Sequence, residues 1–336
     1  MQDSHEETPS FFPASSSGRA FIKRVRNNDV ENGLLERGTA VLVAVSGGSD
    51  STALLHVFLS LRVKLDLRLG VVHVNYRIRG TEADADEALV RNYCERFSIP
   101  FFTFHPKNAT GKNEESLRDI RYRFFETIRK REHFDTIAIA HTEDDQAETV
   151  LIRLLRGTGP VGLVAMKPRN GSLIRPFLSV PKQDILDFLS TEKIPFQEDS
   201  TNADTSILRN RIRHELMPLL EREYRPGIRT TLARTARVFH DLSSPSENLS
   251  EALSIQIHKD GISFSRKTYL LLPDSMRAHE LRRLYIIVTR TKKFPNESFV
   301  REAERLIRST KGKVRTYESL RLKIEVRGDR IAMIRP

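Results

Sequence analysis

Six consecutive residues, Ser46, Gly47, Gly48, Ser49, Asp50 and Ser51, follow directly on an apolar run at 40–45. Two glycines let the backbone turn tightly and approach a ligand with no Cβ in the way. A helical pattern begins beyond them. The N–H groups of its first turn have no intrahelical partner and face whatever anion sits there. That chemistry suits a phosphate cradle. Asp50 would repel a bare phosphate, so it implies a cation such as Mg²⁺ bound with the anion. No lysine follows the second glycine, as a Walker A loop requires. A glycine turn that merely joins strand to helix is the plain alternative.

Three further clusters carry chemistry. The densest contains His141, Asp144, Asp145 and Glu148. Asp145 lies four residues after His141 and three before Glu148, so a helix would make them neighbours. Dipole complementation alone also puts carboxylates in a first helical turn. Residues 114–131 hold Glu115, Arg118, Arg121 and Tyr122. Arg121 falls near the centre of a stripe formed by Leu117, Phe124 and Ile128. A guanidinium there needs a carboxylate or a phosphate, and a structural ion pair is the alternative. Arg209, Arg211 and Arg213 alternate after the Asp199-Ser-Thr-Asn202 segment. A loop or first turn would fan them toward phosphates; a solvated basic helix start is the other reading. His73, Asn75 and Arg79 follow a second apolar run, where a purine could lie against the turning backbone. Gly157, Gly159 and Gly162 match the dinucleotide pattern, but they follow a helical stretch and enclose Pro160. The strand and helix that such a fingerprint needs are missing.

The elements that would position these residues can be read from periodicity. Strand-length apolar runs at 40–45, 69–74, 100–105 and 136–140 alternate with helical patterns at 51–62, 82–97, 114–131 and 144–155. This predicts an α/β fold with a doubly wound, mostly parallel, Rossmann-like sheet covered on both faces. Ligands collect beyond the carboxyl ends of such strands, where the Ser46–Ser51 loop, His73 and His141 all fall. Later come a short strand at 173–177 and a helix at 182–191 opened by Pro181. Residues 224–227 read as a linker. Beyond them lie helical patterns at 228–242, 277–289 and 298–308, and a hairpin at 321–334 around Gly328-Asp329. The expected organisation is a disordered tail at 1–18, an α/β domain with the phosphate cradle at 19–225, and a smaller, mainly helical domain at 226–336 ending in a β-hairpin.

Composition narrows the function. A chain of 336 residues makes about two domains. It has no apolar run near the roughly 18 residues of a membrane span. The first 18 residues are polar and acidic, unlike a signal or transit peptide. Cys94 is the single cysteine, placed in the core by its helical neighbours, which leaves no disulfide framework or cysteine-rich metal centre. A soluble, cytoplasmic protein is expected. The net charge of +11 is uneven. Residues 1–225 hold 32 Lys+Arg and 32 Asp+Glu, whereas residues 226–336 hold 23 against 12. A neutral half joined to a basic half suggests a large polyanion as partner.

Taken in order, the motifs resemble the tRNA(Ile)-lysidine synthetase family, a branch of the PP-loop ATP pyrophosphatases. The likeness rests on Ser46-Gly-Gly-Ser-Asp-Ser51, His73-Val-Asn-Tyr-Arg-Ile-Arg79 and the Glu115, Arg118, Arg121, Tyr122 set. It continues through residues 140–149, residues 156–163, Arg175-Pro176, Asp199-Ser-Thr-Asn202 and residues 209–213, and covers roughly 19–225. Tyr76 stands where the family usually has a second histidine. The chain matches the family's shorter, two-domain architecture. The resemblance implies a ligase forming a carbon–nitrogen bond. ATP adenylates the C2 oxygen of the wobble cytidine in the CAU anticodon of tRNA(Ile), and pyrophosphate leaves. The ε-amine of free L-lysine then displaces AMP. By the same analogy the glycine loop holds the pyrophosphate with Asp50 on Mg²⁺, and His73 and Asn75 border the adenosine. His141, Asp145 and Glu148 serve the metal or the lysine amine, while Arg118 and Arg121 serve the α-phosphate. Arg79, Arg209, Arg211 and Arg213 are the tRNA contacts, and a homodimer is kept as one assembly. A PP-loop tRNA thiolase and a silent nucleotide-binding regulator are the alternatives. The first would need cysteine pairs and the second would be expected to lose Asp50 or Asp145.

Overall fold

The computed structural model describes residues 11–78, 80–107, 114–197, 207–243, 253–291, 295–309, 314–319 and 321–335. The chain divides into two units, Met1–Val238 and Phe239–Pro336.

In the first unit, α1 (Ser16–Glu31) precedes four strand–helix pairs. β1 (Ala40–Ala44) feeds α2 (Ser49–Arg62), and β2 (Arg68–Val74) feeds α3 (Thr81–Arg96). β3 (Phe101–Phe104) is followed by α4 (Glu114–Arg131), and β4 (Thr136–Ala138) by α5 (Glu143–Leu155). A turn of helix, α6 (Pro160–Leu163), leads to the short strands β5 (Arg169–Asn170) and β6 (Leu173–Ile174), then to α7 (Lys182–Thr191). The strand order is β3-β2-β1-β4-β6-β5, parallel except where β5 meets β6. β1 therefore sits between β2 and β4, at the point where the order reverses. The crevice beyond the carboxyl ends at such a point is the expected ligand site.

Burial on two faces explains the unbroken apolar strands. Val41, Val43 and Val45 pack on one side with Leu54, Phe58 and Phe188. Ala40 and Leu42 pack on the other with Phe125, Ile128 and Ile137. The predicted parallel α/β sheet is thus borne out, and β1–β4 run within a residue or two of the expected bounds, whereas the strand expected at 173–177 ends at Ile174 and pairs with an unexpected β5.

Three expectations change in detail. From Phe11 onward the N-terminal segment is docked: the Phe11 ring lies edge-on to His56 and Phe188. The Ala14 and Ser15 N–H groups donate to the Glu192 carboxylate at 2.7 and 3.1 Å, and Ser15 caps α1. The basic segment is helical rather than a loop: α8 (Leu208–Arg211) runs into a π-helical stretch, Ile212–Leu216, then α9 (Met217–Leu219) and a second π stretch, Leu220–Tyr224. Finally, α10 (Ile228–Ser243) does not begin the second unit. Ile228 and Leu232 pack with Ala147, Ile212 and Met217, and Ala236 packs with Val150. Those apolar contacts draw the helix into the first unit, so the boundary lies beyond residue 225.

The second unit contains a five-stranded antiparallel sheet, ordered β7 (Gln256–His258), β8 (Gly261–Ser265), β11 (Arg330–Ile334), β10 (Leu322–Arg327) and β9 (Arg315–Ser319). The expected hairpin is its centre, pairing Arg327 with Arg330 across the Gly328-Asp329 turn. Helices Asp274–Thr289 and Glu297–Arg308 supply Leu281, Leu284, Val300 and Ile307 to a core with Ile324, Val326 and Ile331.

His56 tests how firmly α2 is buried behind the glycine loop. Its Nδ1–H donates to the Thr52 carbonyl at 2.8 Å, and Tyr93 and Phe11 meet its ring edge-on. Burial pushes its pKa from 6.5 down to about 4. Between those values the unfolded chain takes up a proton that the folded chain refuses, so stability falls as pH drops from 6.5 toward 4. His56→Phe should remove a loss on the order of 3 kcal/mol, read as a lower midpoint pH of acid unfolding. An unchanged midpoint would contradict this.

Candidate active site

The glycine loop is shaped before any ligand arrives. Gly47 takes φ +98°, and a Cβ there would meet the Asp86 side chain at 3.2 Å. The Ser51 hydroxyl accepts from the Ser46 N–H and donates to the Gly48 carbonyl, both at 3.0 Å. Ser51 thus staples the loop onto the first turn of α2. Ser46, Gly48, Ser49 and Asp50 line a cavity of about 840 Å³. His73 braces the loop from β2, its Nδ1–H donating to the Val45 carbonyl at 2.8 Å. Burial lowers the His73 pKa and keeps the ring neutral, and its Nε2 is buried without a partner.

Asn75 also lines the cavity, with its own hydrogen bonds committed to the chain. Its Nδ2 donates to Asp84 at 3.0 Å and Glu87 at 3.1 Å, and its Oδ1 accepts from the Arg77 N–H at 2.9 Å. Tyr76 ties the same turn to α4 through the Leu117 carbonyl at 2.9 Å. A phenol so placed does work that a smaller imidazole would not reach. Arg79 and residues 199–202 lie outside the described residues.

A lysine stands where a cation would bind. The Lys182 ammonium, at the start of α7, lies 2.5 Å from Asp50 Oδ1 and 2.6 Å from Ser49 Oγ. Burial raises the Asp50 pKa, and Lys182 opposes that shift. One carboxylate and one hydroxyl beside a phosphate cradle fit Mg²⁺, which keeps waters and shares its shell with phosphate oxygens. No cluster of three or more metal-ligating side chains occurs among the described residues.

The carboxylates of α5 are held by arginines. Asp145 first caps its own helix: Oδ2 accepts from the Thr142 N–H at 2.9 Å while the Thr142 hydroxyl accepts from the Asp145 N–H. Its Oδ1 takes Arg209 at 2.8 Å and Arg213 at 3.2 Å. Glu148 is fully buried and accepts from Arg209 Nε at 2.8 Å and Arg213 Nε at 2.6 Å. Burial alone would raise the Asp145 pKa, but the Arg209 and Arg213 guanidinium groups and the hydrogen bond from the Thr142 N–H turn the net shift downward. Burial alone would lower the Arg209 pKa, but Asp145 and Glu148 raise it. Asp145 and the two arginines are therefore held in their charged forms. Arg211 points away and is exposed.

This network floors a second cavity of about 460 Å³, lined by Asp50, Glu143, Asp144, Asp145, Glu148 and Glu221 together with Lys182, Arg213 and Arg229. Arg229 lies 3.0 Å from Asp144. Asp144 also accepts from the Lys182 N–H at 2.8 Å, capping α7. Asp50, Asp145, Lys182 and Arg213 line both cavities.

Arg121, Tyr122 and His141 complete the first cavity. Arg121 is half-buried, 5.8 Å from the Tyr122 ring centre, while Arg118 is exposed beside the same ring. The structure thus gathers the loop, His73, Asn75, Arg121, His141, Asp145 and Arg213 around one space, with Glu148 and Arg209 just behind. Lys182 and Arg229 had no place in the sequence reading, and Arg175 entered it only as part of the family resemblance, with no role. Lys182 left one trace: a lysine in a first helical turn opposes the helix dipole and implies a local anion.

The PP-loop domain model ATP_bind_3 matches residues 20–220. A tRNA(Ile)-lysidine synthase of Geobacter sulfurreducens is 40% identical over 230 residues, covering 66% of this chain and 48% of the relative. One from Chlorobaculum tepidum is 36% identical over 243 residues, covering 70% and 71%. The chain spans about half the length of several curated relatives that it matches. Among solved structures, a U34-tRNA thiolase from Methanococcus maripaludis superposes with a TM-score of 0.54 at 18% identity, over 66% of this chain and 80% of that one. It shows the shared fold alone. With the PP-loop model matched over more than half of the chain, and a curated relative matched over most of both lengths, the chain belongs to the tRNA(Ile)-lysidine synthase family of PP-loop proteins.

Proposed function

We propose that this protein ligates L-lysine to the wobble cytidine of a CAU-anticodon tRNA(Ile), through an adenylated tRNA intermediate, in the cytoplasm. One observation carries the reading: two adjoining cavities share Asp50, Asp145, Lys182 and Arg213 at the sheet's reversal point. A phosphate loop in one suits ATP. A carboxylate-lined space beside it suits a cationic amino acid, with Arg229 available for its α-carboxylate. No helix among the described residues is long and apolar enough to cross a membrane.

The first step is attack of the cytidine C2 oxygen on the α-phosphorus, with pyrophosphate leaving into the loop of Ser46, Gly47, Gly48 and Ser49. Mg²⁺ held at Asp50 would offset charge on that leaving group. Lys182 then exchanges Asp50 for a phosphate oxygen and follows the charge. Arg121 faces the same space as the α-phosphate. In the second step the lysine nitrogen attacks C2 and AMP departs. An ammonium of pKa near 10 must first lose a proton, and the carboxylates of the second cavity are placed to accept it. Arg209 and Arg213 hold Asp145 and Glu148, so their role is internal, and Arg211 remains the tRNA contact of that helix. The thiolase alternative is disfavoured by Cys94, whose thiol is buried in the main core and pushed up to about 12. A silent regulator has no need to retain Asp50 and Lys182 together.

Asp50→Ala should lower pyrophosphate release by an amount equal to about 3–4 kcal/mol of barrier, with the fold intact by circular dichroism. Near-normal release by the folded variant would refute the role of Asp50. The order of steps gives a second test. Pyrophosphate release should need ATP and tRNA but not lysine; ATP–pyrophosphate exchange with lysine alone would mean that the amino acid is activated instead. A third concerns the basic second unit, in which Arg301, Arg321 and Arg327 are exposed. Replacing each by Gln should reduce the log–log salt slope of tRNA binding by roughly 0.7–0.9 if it meets a phosphate. Equal slopes for the triple variant and wild type would make that surface merely solvated.

A further inference from the structure

Arg175 follows β6 and is buried, yet its described hydrogen bonds run to neutral groups. Its Nη1 donates to the Lys167 carbonyl at 2.8 Å, and its Nε donates to Nδ1 of His141 at 3.0 Å. A guanidinium has five N–H donors and no lone pair with which to accept. The Nδ1 atom that it meets must therefore carry a lone pair. A neutral imidazole then holds its proton on Nε2. The ring stays neutral: burial pushes the His141 pKa down to about 3, and the Arg175 charge adds to that against the pull of Asp145. With Nδ1 taken, Nε2–H is the polar group that His141 offers to the cavity it lines.

We propose that Arg175 is a positioning residue that locks His141 as the Nε2–H tautomer, making His141 a hydrogen-bond donor to the reacting phosphate and not the base for the lysine amine. The proposal rests on the ATP-dependent reading of this cavity. In the first step a bond forms between the C2 oxygen and the α-phosphorus while the bond to the bridging oxygen of pyrophosphate breaks. Negative charge grows on the phosphate oxygens, where a fixed donor acts without giving up its proton. In the second step the lysine nitrogen bonds to C2, the C2–O bond breaks, and AMP leaves with that oxygen. The amine proton goes to a carboxylate or to water, because one ring nitrogen of His141 is engaged and the other is already protonated.

Nitrogen-15 spectra of the histidine-labelled full-length protein distinguish the tautomers without turnover. His141 should show a protonated Nε2 and a bare Nδ1, assigned by the signals lost in His141→Gln. Arg175→Met should shift the ring toward Nδ1–H and lower kcat for pyrophosphate release by about 10²-fold. KM for ATP should stay within about threefold, the pattern of an interaction made in the transition state. Arg175→Lys, which keeps a cationic donor, should hold the tautomer and recover much of the rate. An Nδ1–H ring in the wild type, or an Arg175→Met spectrum unchanged from it, would overturn the proposal. If Arg175→Met does not fold, the wild-type and Arg175→Lys spectra decide. A protein with the expected tautomer but no ATP-dependent activity would refute the functional reading and leave the positioning role supported.

Discussion

Two carboxylates, Asp145 and Glu148, lie inside the protein beside a loop built for anions, and each is met there by both Arg209 and Arg213. Such a cluster is a poor source of net stability, since removing four charges from water costs about as much as their attraction returns. Its effect is on arrangement. Deleting one partner strands the others, at a cost of about 3–5 kcal/mol, so α5 and α8 must pack in one register. That register brings the α8–α10 helices against α5 and closes the second cavity. The π-helical stretch that carries Arg213 belongs to the same solution, since wider turns of this kind gather at functional sites.

The charges are arranged in compensated layers. Lys182 covers Asp50, the arginine pair covers Asp145 and Glu148, and Arg229 covers Asp144. Arg121, which lines the first cavity as Lys182 does, has no comparable cover among the described contacts to carboxylates. A polyphosphate entering between them meets positive charge on one side and on the other a lysine able to change partners. Preorganisation of this sort places the electrostatic work before the reaction begins.

Much of this was legible in sequence because it depends on local rules. The glycine loop and the strand ends follow from residue type and spacing. His73 and Asn75 line the cavity, but the His73 hydrogen bond braces the glycine loop and those of Asn75 hold the turn into α3, a distinction that spacing does not carry. The arginine alternation at 209–213 suggested a fan toward phosphates. Long-range pairing with α5 instead selects two of the three, and no local pattern reports a partner more than sixty residues away. Lys182 escaped for the same reason, and so did the contact of Arg175 with His141. In the second unit the three edge and flanking strands, β7, β8 and β9, were missed: they are short, and their alternation is broken by exposed positions such as Ile257.

The central claim is that these two cavities together join an amine to an activated tRNA base. Its most direct test is mass spectrometry of nucleosides from a CAU-anticodon tRNA(Ile) transcript incubated with the protein, ATP and isotope-labelled lysine. The account predicts one cytidine heavier by a labelled lysine less one water, dependent on ATP and absent with the Asp50→Ala protein. A sulfur-bearing base, or an unmodified tRNA despite ATP turnover, would contradict it.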